Sequence, residues 1–334
     1  MNPLRAWNTF WFTKTSAKPL GTFRIIFGLI AIANLAMFLP DLDHWLSGTG
    51  LLQGTESQEY AGPLRPSILQ FYQSPAMVRV VLAGTTLAFL GLTIGWHTRV
   101  MSILSYAGML TIHHRNMPTI SGADVLVICV SFCMMFCPSG AAYSLDARRG
   151  DRKRGTLAEP LIEPWGFRLI QIQVSGIYFV TAILKCNGAT WLNGTALHYV
   201  LNNPEVGRFS LYPLQEYPLA INLLTHGGLL IEFLVAFALW FRPTRRWAIL
   251  AGLALHIGVL FTVNIPIFGE LMTASYLLFL APDELESVRM SINPKNWFSS
   301  KSKLTIPGRV DAGTSLRGPH TGVRQGLLAF AQDH

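Results

Sequence analysis

The side chains that could carry out chemistry lie mainly at one end of the hydrophobic segments of this 334-residue chain. They are imidazole, amine, guanidinium, amide and carboxylate groups that close or flank successive apolar stretches. Such groups are costly inside a bilayer, so a set gathered at one membrane depth predicts a functional site. In chain order they are His113, His114, Arg115, Asn116, Lys185, His226, Asn264 and Glu270.

Lys185 follows the apolar stretch 167–184 and is followed, six residues on, by Trp191. One interpretation is a lysine that extends to the membrane interface beside an aromatic side chain of the interfacial belt. The other is a partly desolvated amine that acts as a base near neutral pH. The sequence around the lysine leaves both interpretations open.

Residue counts along the spans place His226 and Asn264 in depth and add a deeper pair, Glu232 and His256. His226 precedes two glycines and lies about seven residues inside its span, or ~10 Å at 1.5 Å per residue. Glu232 and His256 are equally far from the turn that joins their spans, so we expect them to pair near mid-membrane, where an unpaired carboxylate is expensive. Asn264 lies eight residues beyond His256, close to the same helical face, and we expect the two to line one cavity.

Cys129, Cys133 and Cys137 recur at every fourth residue and therefore share one helix face. A soft-metal site is one interpretation, but small apolar residues of a membrane helix explain the pattern without one. We expect no metal and no disulfide framework.

The composition indicates a membrane protein. Hydrophobic residues make up 51% of the chain and charged residues 13%, which is typical of a polytopic membrane protein and excludes a soluble domain. The net charge of +8 comes from basic residues in short loops and a polar tail, where they set topology. We therefore expect contact with membrane lipid and no nucleic acid as a partner.

Apolar stretches of about 20 residues are needed to cross the hydrocarbon core, and eight candidates meet or approach this length. We predict an all-α, polytopic transmembrane bundle of about eight spans, preceded by an interfacial segment at 1–18 and followed by a cytoplasmic polar tail at 283–334 that is largely disordered. The candidate spans are 20–39, 76–96, 98–114, 123–142, 167–185, 219–241, 246–264 and 267–282.

The orientation follows from lysine and arginine in the loops. With a cytoplasmic N-terminus, the inner segments before the tail hold twelve of these residues and the outer loops three, namely Arg65, Arg115 and Arg208. Both termini are then predicted to be cytoplasmic, and the reactive side chains to face outward. Two long outer loops, 40–75 and 186–218, are expected to cap the site.

The motifs resemble those of the horizontally transferred transmembrane (HTTM) family, which is related to the vitamin K-dependent gamma-carboxylase. The likeness covers roughly residues 18–282 and includes Arg115, Asn116, Gly122 and Asp124. Its most specific part is the run from Lys185 to Leu197. Further matching residues are Phe23, Arg24, Phe27, Gly28, Gly188, Trp191, Gly194, Ala196, His226, Gly227 and Gly228.

The resemblance implies a carboxylase-like enzyme of the carbon–carbon lyase class that uses a reduced quinone, either vitamin K hydroquinone or menaquinol, with O2 and CO2 as co-substrates. Lys185 would be the base, with His226 and His114 as further catalytic groups. A bacterial inner membrane and a secreted peptide or protein substrate are the corresponding expectations. The residues that would bind the quinone or line its pocket are His113, Arg115, Asn116, Trp191, Asn264 and Glu270.

Two departures from the carboxylase affect this expectation. The chain ends soon after its last span and so lacks the large lumenal region that holds a propeptide, and Lys185 stands alone where the animal enzyme has a pair of lysines. The alternative is a non-catalytic protein that binds lipid or quinone and assists the maturation or export of a secreted partner. A transporter is less favoured, because there is no inverted repeat or mid-membrane helix break.

Overall fold

The computed structural model describes residues 2–62, 64–154, 160–208 and 216–292, and the contacts below lie within the compact unit Met1–Val288. This part of the chain is mainly α-helical. Its α-helices are α1 (Pro3–Phe12), α2 (Lys18–Ala36), α3 (Leu42–Leu46), α4 (Gly54–Ala61), α5 (Pro75–Ile94), α6 (Thr98–Arg115), α7 (Gly122–Met134), α8 (Leu145–Arg154), α9 (Trp165–Cys186), α10 (Ala189–Leu192), α11 (Ala196–Asn202), α12 (Pro218–Ala238), α13 (Arg242–Thr262), α14 (Phe268–Ser275) and α15 (Pro282–Ile292).

Short 3-10 turns and one small strand pair complete the described structure. Strands β1 (Thr15–Ser16) and β2 (Leu161–Ile162) are antiparallel, so the predicted all-α class holds apart from four residues. The 3-10 turns are Leu39–Asp41, Ile68–Gln70, Met117–Thr119, Ser139–Ala141 and Tyr276–Phe279.

The helix ends follow from local sequence. Ser74 caps α5, whose first residue is Pro75, and a proline at this position loses no helical hydrogen bond. Ser121 and Asp124 form a reciprocal capping box at the start of α7, which satisfies two backbone donors that have no partner inside the helix. These caps define where α5 and α7 begin.

The predicted count of eight spans is not confirmed. Among the described helices, five are long and apolar enough to cross a membrane: α2 with its extension to Leu46, and α5, α9, α12 and α13. Helix α7 has 13 residues, or ~20 Å, against a hydrocarbon thickness of ~30 Å. The predicted last span, 267–282, is instead the short helix α14 followed by a 3-10 turn.

Helices α2 and α5 cross closely at Gly28. A Cβ at this position would lie 2.0 Å from Thr93 Oγ1, so only glycine allows the two backbones to approach this near. One turn earlier, the fully buried Arg24 donates to the carbonyl oxygens of Ser139 at 2.5 Å and Tyr143 at 2.6 Å. The family-like residues of α2 therefore hold helices and a loop together.

The structure describes parts of both predicted terminal segments. Helix α1 lies within the predicted interfacial segment and leaves Leu4 and Trp7 exposed. Within the predicted tail, α15 extends to Ile292 and its Glu284 accepts from Arg245 at 2.7 Å, and disorder of the tail stays a prediction. The rest of the predicted tail, 293–334, lies outside the described residues.

Candidate functional site

Lys185 lies in the last turn of α9 and forms an ion pair with Glu232 of α12. Its Nζ is 2.5 Å from Glu232 Oε1, and the two side chains are 27% and 13% exposed. Glu232 Oε2 is buried and has no hydrogen-bond partner among the residues that the structure describes. The pair therefore combines a proton donor and a carboxylate with one unused oxygen.

The contact corrects two predictions. We expected Lys185 at the outer end of the bundle and Glu232 near its middle, but the ion pair puts both at one level. Six residues separate Glu232 from Ala238 at the end of α12, or ~9 Å. The predicted Glu232–His256 pair does not form either, because the carboxylate binds Lys185 and the Nε2 of His256 binds Tyr178.

The chain after Lys185 folds back along the first half of α12. Trp191 of α10 places its ring centroid 4.6 Å from Lys185 Nζ, a distance at which the ring stabilises the ammonium group. His226 Nε2 lies 3.1 Å from the Leu192 carbonyl oxygen, and Asn222 Nδ2 donates to the Asn193 carbonyl oxygen at 3.1 Å. Part of the predicted outer loop 186–218 thus covers the site.

Gly194 explains why this covering segment fits so closely. It has φ +73°, in the left-handed region that favours glycine, and a Cβ here would lie 2.0 Å from Asn222 Nδ2. His226 is exposed and contacts the covering segment rather than Lys185. The structure therefore brings Lys185, Trp191 and His226 into one region. In this region His226 binds the covering segment to α12.

A buried hydrogen-bonded triad lies beside the ion pair. The Tyr178 hydroxyl is 2.5 Å from His256 Nε2 and also hydrogen-bonds the Tyr276 hydroxyl. All three side chains are buried, and Tyr178 is close enough to Glu232 to interact with it electrostatically. We call Lys185, Glu232, Tyr178, His256 and Tyr276 the relay cluster.

His256 connects this cluster to a cleft of about 150 Å³ between α13 and α14. Its Nδ1 is buried, has no hydrogen-bond partner within the described ranges, and lies 3.5 Å from the position of a Cβ on Gly269. Glu270 and Thr273 also line the cleft, and most of the other lining residues are aliphatic. The imidazole thus binds Tyr178 through Nε2, while Nδ1 has no hydrogen-bond partner among the residues described.

A second polar group surrounds Asp124. His113 is 2% exposed, and its Nε2 lies 3.8 Å from Asp124 Oδ1, beyond hydrogen-bond distance, whereas Asn34 Nδ2 donates to the same oxygen at 2.8 Å. Asn34 and Asp124 line a cavity of about 270 Å³ whose other walls include Phe38 and Trp45. His113 therefore lies next to a residue that lines this cavity but does not line it itself.

The neighbours of His113 hold the loop at 40–75. Arg115 is fully buried and donates to the carbonyl oxygens of Ser47 at 3.0 Å and Leu52 at 2.6 Å. Asn116 donates to the Trp45 carbonyl oxygen at 2.9 Å, and His114 Nδ1 lies 3.3 Å from the Pro66 carbonyl oxygen. These contacts are structural, and ligand binding by His113 to Asn116 stays a prediction.

The two remaining predicted residues, Asn264 and Glu270, differ in whether they lie near His256. The Asn264 backbone amide donates to the Val206 carbonyl oxygen at 2.6 Å and its side chain is exposed, so no contact supports the shared cavity predicted with His256. Glu270 does share a cleft with His256. In the part of the chain that the structure describes, no group of three or more His, Cys, Asp or Glu side chains is placed to hold a metal ion.

Tyr178, Tyr276 and Asn34 were missed by the sequence reasoning. Tyr178 lies seven residues before Lys185, which is two helical turns and hence the same face of α9. That spacing was the available signal. Tyr276 and Asn34 lack a comparable signal, because their partners are 98 and 90 residues away in the chain.

Known proteins resemble this chain along most of its described length. A family model for the HTTM domain matches residues 12–283. The uncharacterized protein YitO of Bacillus subtilis is 23% identical over 57% of this chain and 62% of its own length. The sporulation-delaying protein SdpB of the same organism is 24% identical over 57% of this chain and 60% of its own length.

The aligned region spans about three fifths of the length of these two relatives. No solved structure matches the chain. The family match includes the relay cluster, the covering segment after Lys185 and the buried residues of α2. Because the family model covers far more than half of the sequence, the chain belongs to the HTTM domain family.

Proposed function

We propose that this protein is a membrane enzyme of the carboxylase-like class, in which the relay cluster takes a proton from a reduced quinone. The observation that carries the proposal is the connection of Tyr178 to His256 and Tyr276 next to the Lys185–Glu232 ion pair. Linked groups of this kind in a membrane bundle are typical of proton-transfer sites.

The residues at the His256 cleft fit the head group of a quinone. A cavity of about 150 Å³ is comparable to cavities that accept one benzene ring, so it would take the quinone ring of a menaquinone head group but not both fused rings, and His256 Nδ1, which has no partner among the described residues, would bind a ring oxygen. Glu270 lines the same cleft. A reduced quinone would supply there a weakly acidic ring hydroxyl and two electrons.

The side chains of the cluster can move a proton away from this cleft. A proton accepted at His256 Nδ1 allows release of the proton at Nε2 to the Tyr178 hydroxyl, 2.5 Å away, and Tyr178 in turn gives up its own hydroxyl proton to the Lys185–Glu232 pair. The Lys185–Glu232 pair can accept one more proton, since it carries a carboxylate with an unused oxygen. Lys185 then acts as a base only together with Glu232, which receives the proton that Nζ gives up.

Position in the membrane is part of the proposal. The loop charges support a cytoplasmic-membrane location with the cleft opening outward. The Trp191 ring packs on the Lys185 ammonium and the lysine side chain is 27% exposed, and exclusion of water strengthens the electrostatic interactions inside a site.

A second candidate function is non-catalytic binding of a lipid or quinone in support of a secreted partner. Its supporting observation is the ion pair itself, since Lys185 bound to Glu232 is also a plausible purely structural contact.

Mass spectrometry of the lipids and quinones that co-purify with the full-length protein tests the proposal first. The expected result is a menaquinone bound at about one molecule per chain, and consumption of added menaquinol in air. Bound quinone without consumption favours the binding function. Neither bound quinone nor consumption contradicts the proposed enzyme.

A further inference from the structure

An open groove of about 840 Å³ lies where the turn Leu39–Asp41 and α3 pack on α5. Its apolar floor runs down α5 through Leu82, Ala83 and Leu87. Eight residues separate Arg79 at its head from Leu87, or ~12 Å along the helix. This length is close to one leaflet of a hydrocarbon core ~30 Å thick.

The head of the groove carries charges of both signs. Arg79 Nη2 donates to Asp43 Oδ2 at 2.5 Å, and Asp41 also lines the groove. Asp43 Oδ1 is buried and has no hydrogen-bond partner among the residues described. One guanidinium therefore faces two carboxylates, one of which has an oxygen still able to accept a hydrogen bond.

We infer that this groove binds a phospholipid whose head group ends in a primary ammonium, such as phosphatidylethanolamine. One acyl chain lies along Leu82 and Leu87, the phosphate meets Arg79, and the ammonium donates to Asp43 Oδ1. Leu39 and Leu87 are 61% and 65% exposed, and in a bilayer the acyl chain covers them. The inference does not depend on the proposed enzyme activity.

Charge and hydrogen bonding distinguish this lipid from others. An anionic head group would meet two carboxylates and a single arginine, so it is disfavoured. A quaternary ammonium, as in phosphatidylcholine, carries no N–H and leaves Asp43 Oδ1 without a partner. Charge-assisted hydrogen bonds are among the strongest polar contacts, so this one atom separates the two zwitterionic lipids.

Native mass spectrometry of the delipidated full-length protein tests the inference. The protein is offered an equal mixture of phosphatidylethanolamine, phosphatidylcholine and phosphatidylglycerol with identical acyl chains. We expect about ten-fold more ethanolamine adduct than choline adduct, as for one hydrogen bond to a charged group. Asp43→Asn should reduce this preference to about two-fold. Asp283→Asn, which breaks the exposed Arg242–Asp283 pair elsewhere, should leave it unchanged.

A groove-filling variant keeps the test decisive if Asp43→Asn fails to fold. Ala83→Trp should weaken retention of the ethanolamine lipid about ten-fold, because the indole occupies the acyl-chain path. Equal binding of the ethanolamine and choline lipids by the wild-type protein would overturn the inference. So would a preference for phosphatidylglycerol, an ethanolamine preference that survives Asp43→Asn, or wild-type retention of the ethanolamine lipid by Ala83→Trp.

Discussion

The Lys185 ammonium and the Glu232 carboxylate meet at 2.5 Å between α9 and α12, about two turns from the end of α12. Each side chain is largely removed from water, and each supplies the opposite charge that the other needs. Removal of one partner leaves an uncompensated charge, which costs more than removal of both.

A double-mutant cycle tests the energetic coupling of this pair. Lys185→Met and Glu232→Gln should each lower the free energy of unfolding in detergent by about 2 kcal/mol relative to the wild type. The double variant should lower it by only about 1 kcal/mol. Asp283→Asn, at an exposed ion pair, should cost less than about 1 kcal/mol. Strictly additive losses at Lys185 and Glu232 would show that the two are uncoupled.

The covering segment should loosen when its contact with α12 is removed. His226→Ala deletes the hydrogen bond to the Leu192 carbonyl oxygen, worth about 1 kcal/mol. Amide hydrogen exchange across 189–197 should then rise about five-fold. His198→Ala, whose imidazole contacts only Asn202 in the described hydrogen bonds, is the matched control. Unchanged exchange in the His226 variant would rule out this holding role.

The crossing of α2 and α5 depends on Gly28. Gly28→Ala should destabilise the protein by about 1–3 kcal/mol, because the new Cβ meets Thr93. Gly84→Ala is the matched control, because Gly84 lies on α5 with open space around it and alanine favours a helix by about 1 kcal/mol. Thermal unfolding in detergent gives both values. Equal effects of the two substitutions would contradict the close crossing.

Asp146 anchors the start of α6 from α8. Its carboxylate accepts from the amides of His97 at 2.9 Å and Thr98 at 2.8 Å, and from the Thr98 hydroxyl at 3.0 Å. Burial opposes ionisation of Asp146, but these hydrogen bonds outweigh it and lower the pKa of the carboxyl below its ordinary value. The carboxylate is therefore a stabilising cap.

Asp146→Ala should cost about 1 kcal/mol near neutral pH. Since the pKa is lower in the folded protein than in the unfolded chain, the stabilisation is complete above the unfolded-chain pKa and is lost as pH falls through the folded-state pKa. Unfolding of the wild type and the variant across an acid pH series should therefore converge. A difference that persists unchanged in acid would exclude the charged cap.

Some of this architecture was accessible from the sequence because apolar length and helix period are local properties. The five long helices and the grouping of Lys185, Trp191 and His226 follow from such patterns. Glu232, the partner of Lys185, could not be predicted in this way. Counting residues along a span gives no information on how far one helix is shifted along its neighbour.

The polar run at 113–116 shows a second limit. Its composition predicted ligand contacts, yet Arg115 and Asn116 bind backbone carbonyl oxygens of a loop 63–71 residues earlier in the chain. Loop carbonyl oxygens have no sequence signature, so these contacts could not be inferred. Of the three predicted spans that are not confirmed, the last, 267–282, is interrupted because α14 ends at Ser275 and a 3-10 turn follows within the apolar stretch.

The most direct measurement of the central claim is the rate of menaquinol oxidation in air by proteoliposomes that contain the full-length protein, compared with the Lys185→Met and Glu232→Gln variants. The proposed proton transfer predicts that both variants lose about a hundred-fold or more in rate, as for removal of a general base, while co-purified quinone remains bound and the helical content is unchanged. Wild-type proteoliposomes that do not oxidise menaquinol, or a Lys185→Met variant that oxidises it at the wild-type rate, would contradict the account.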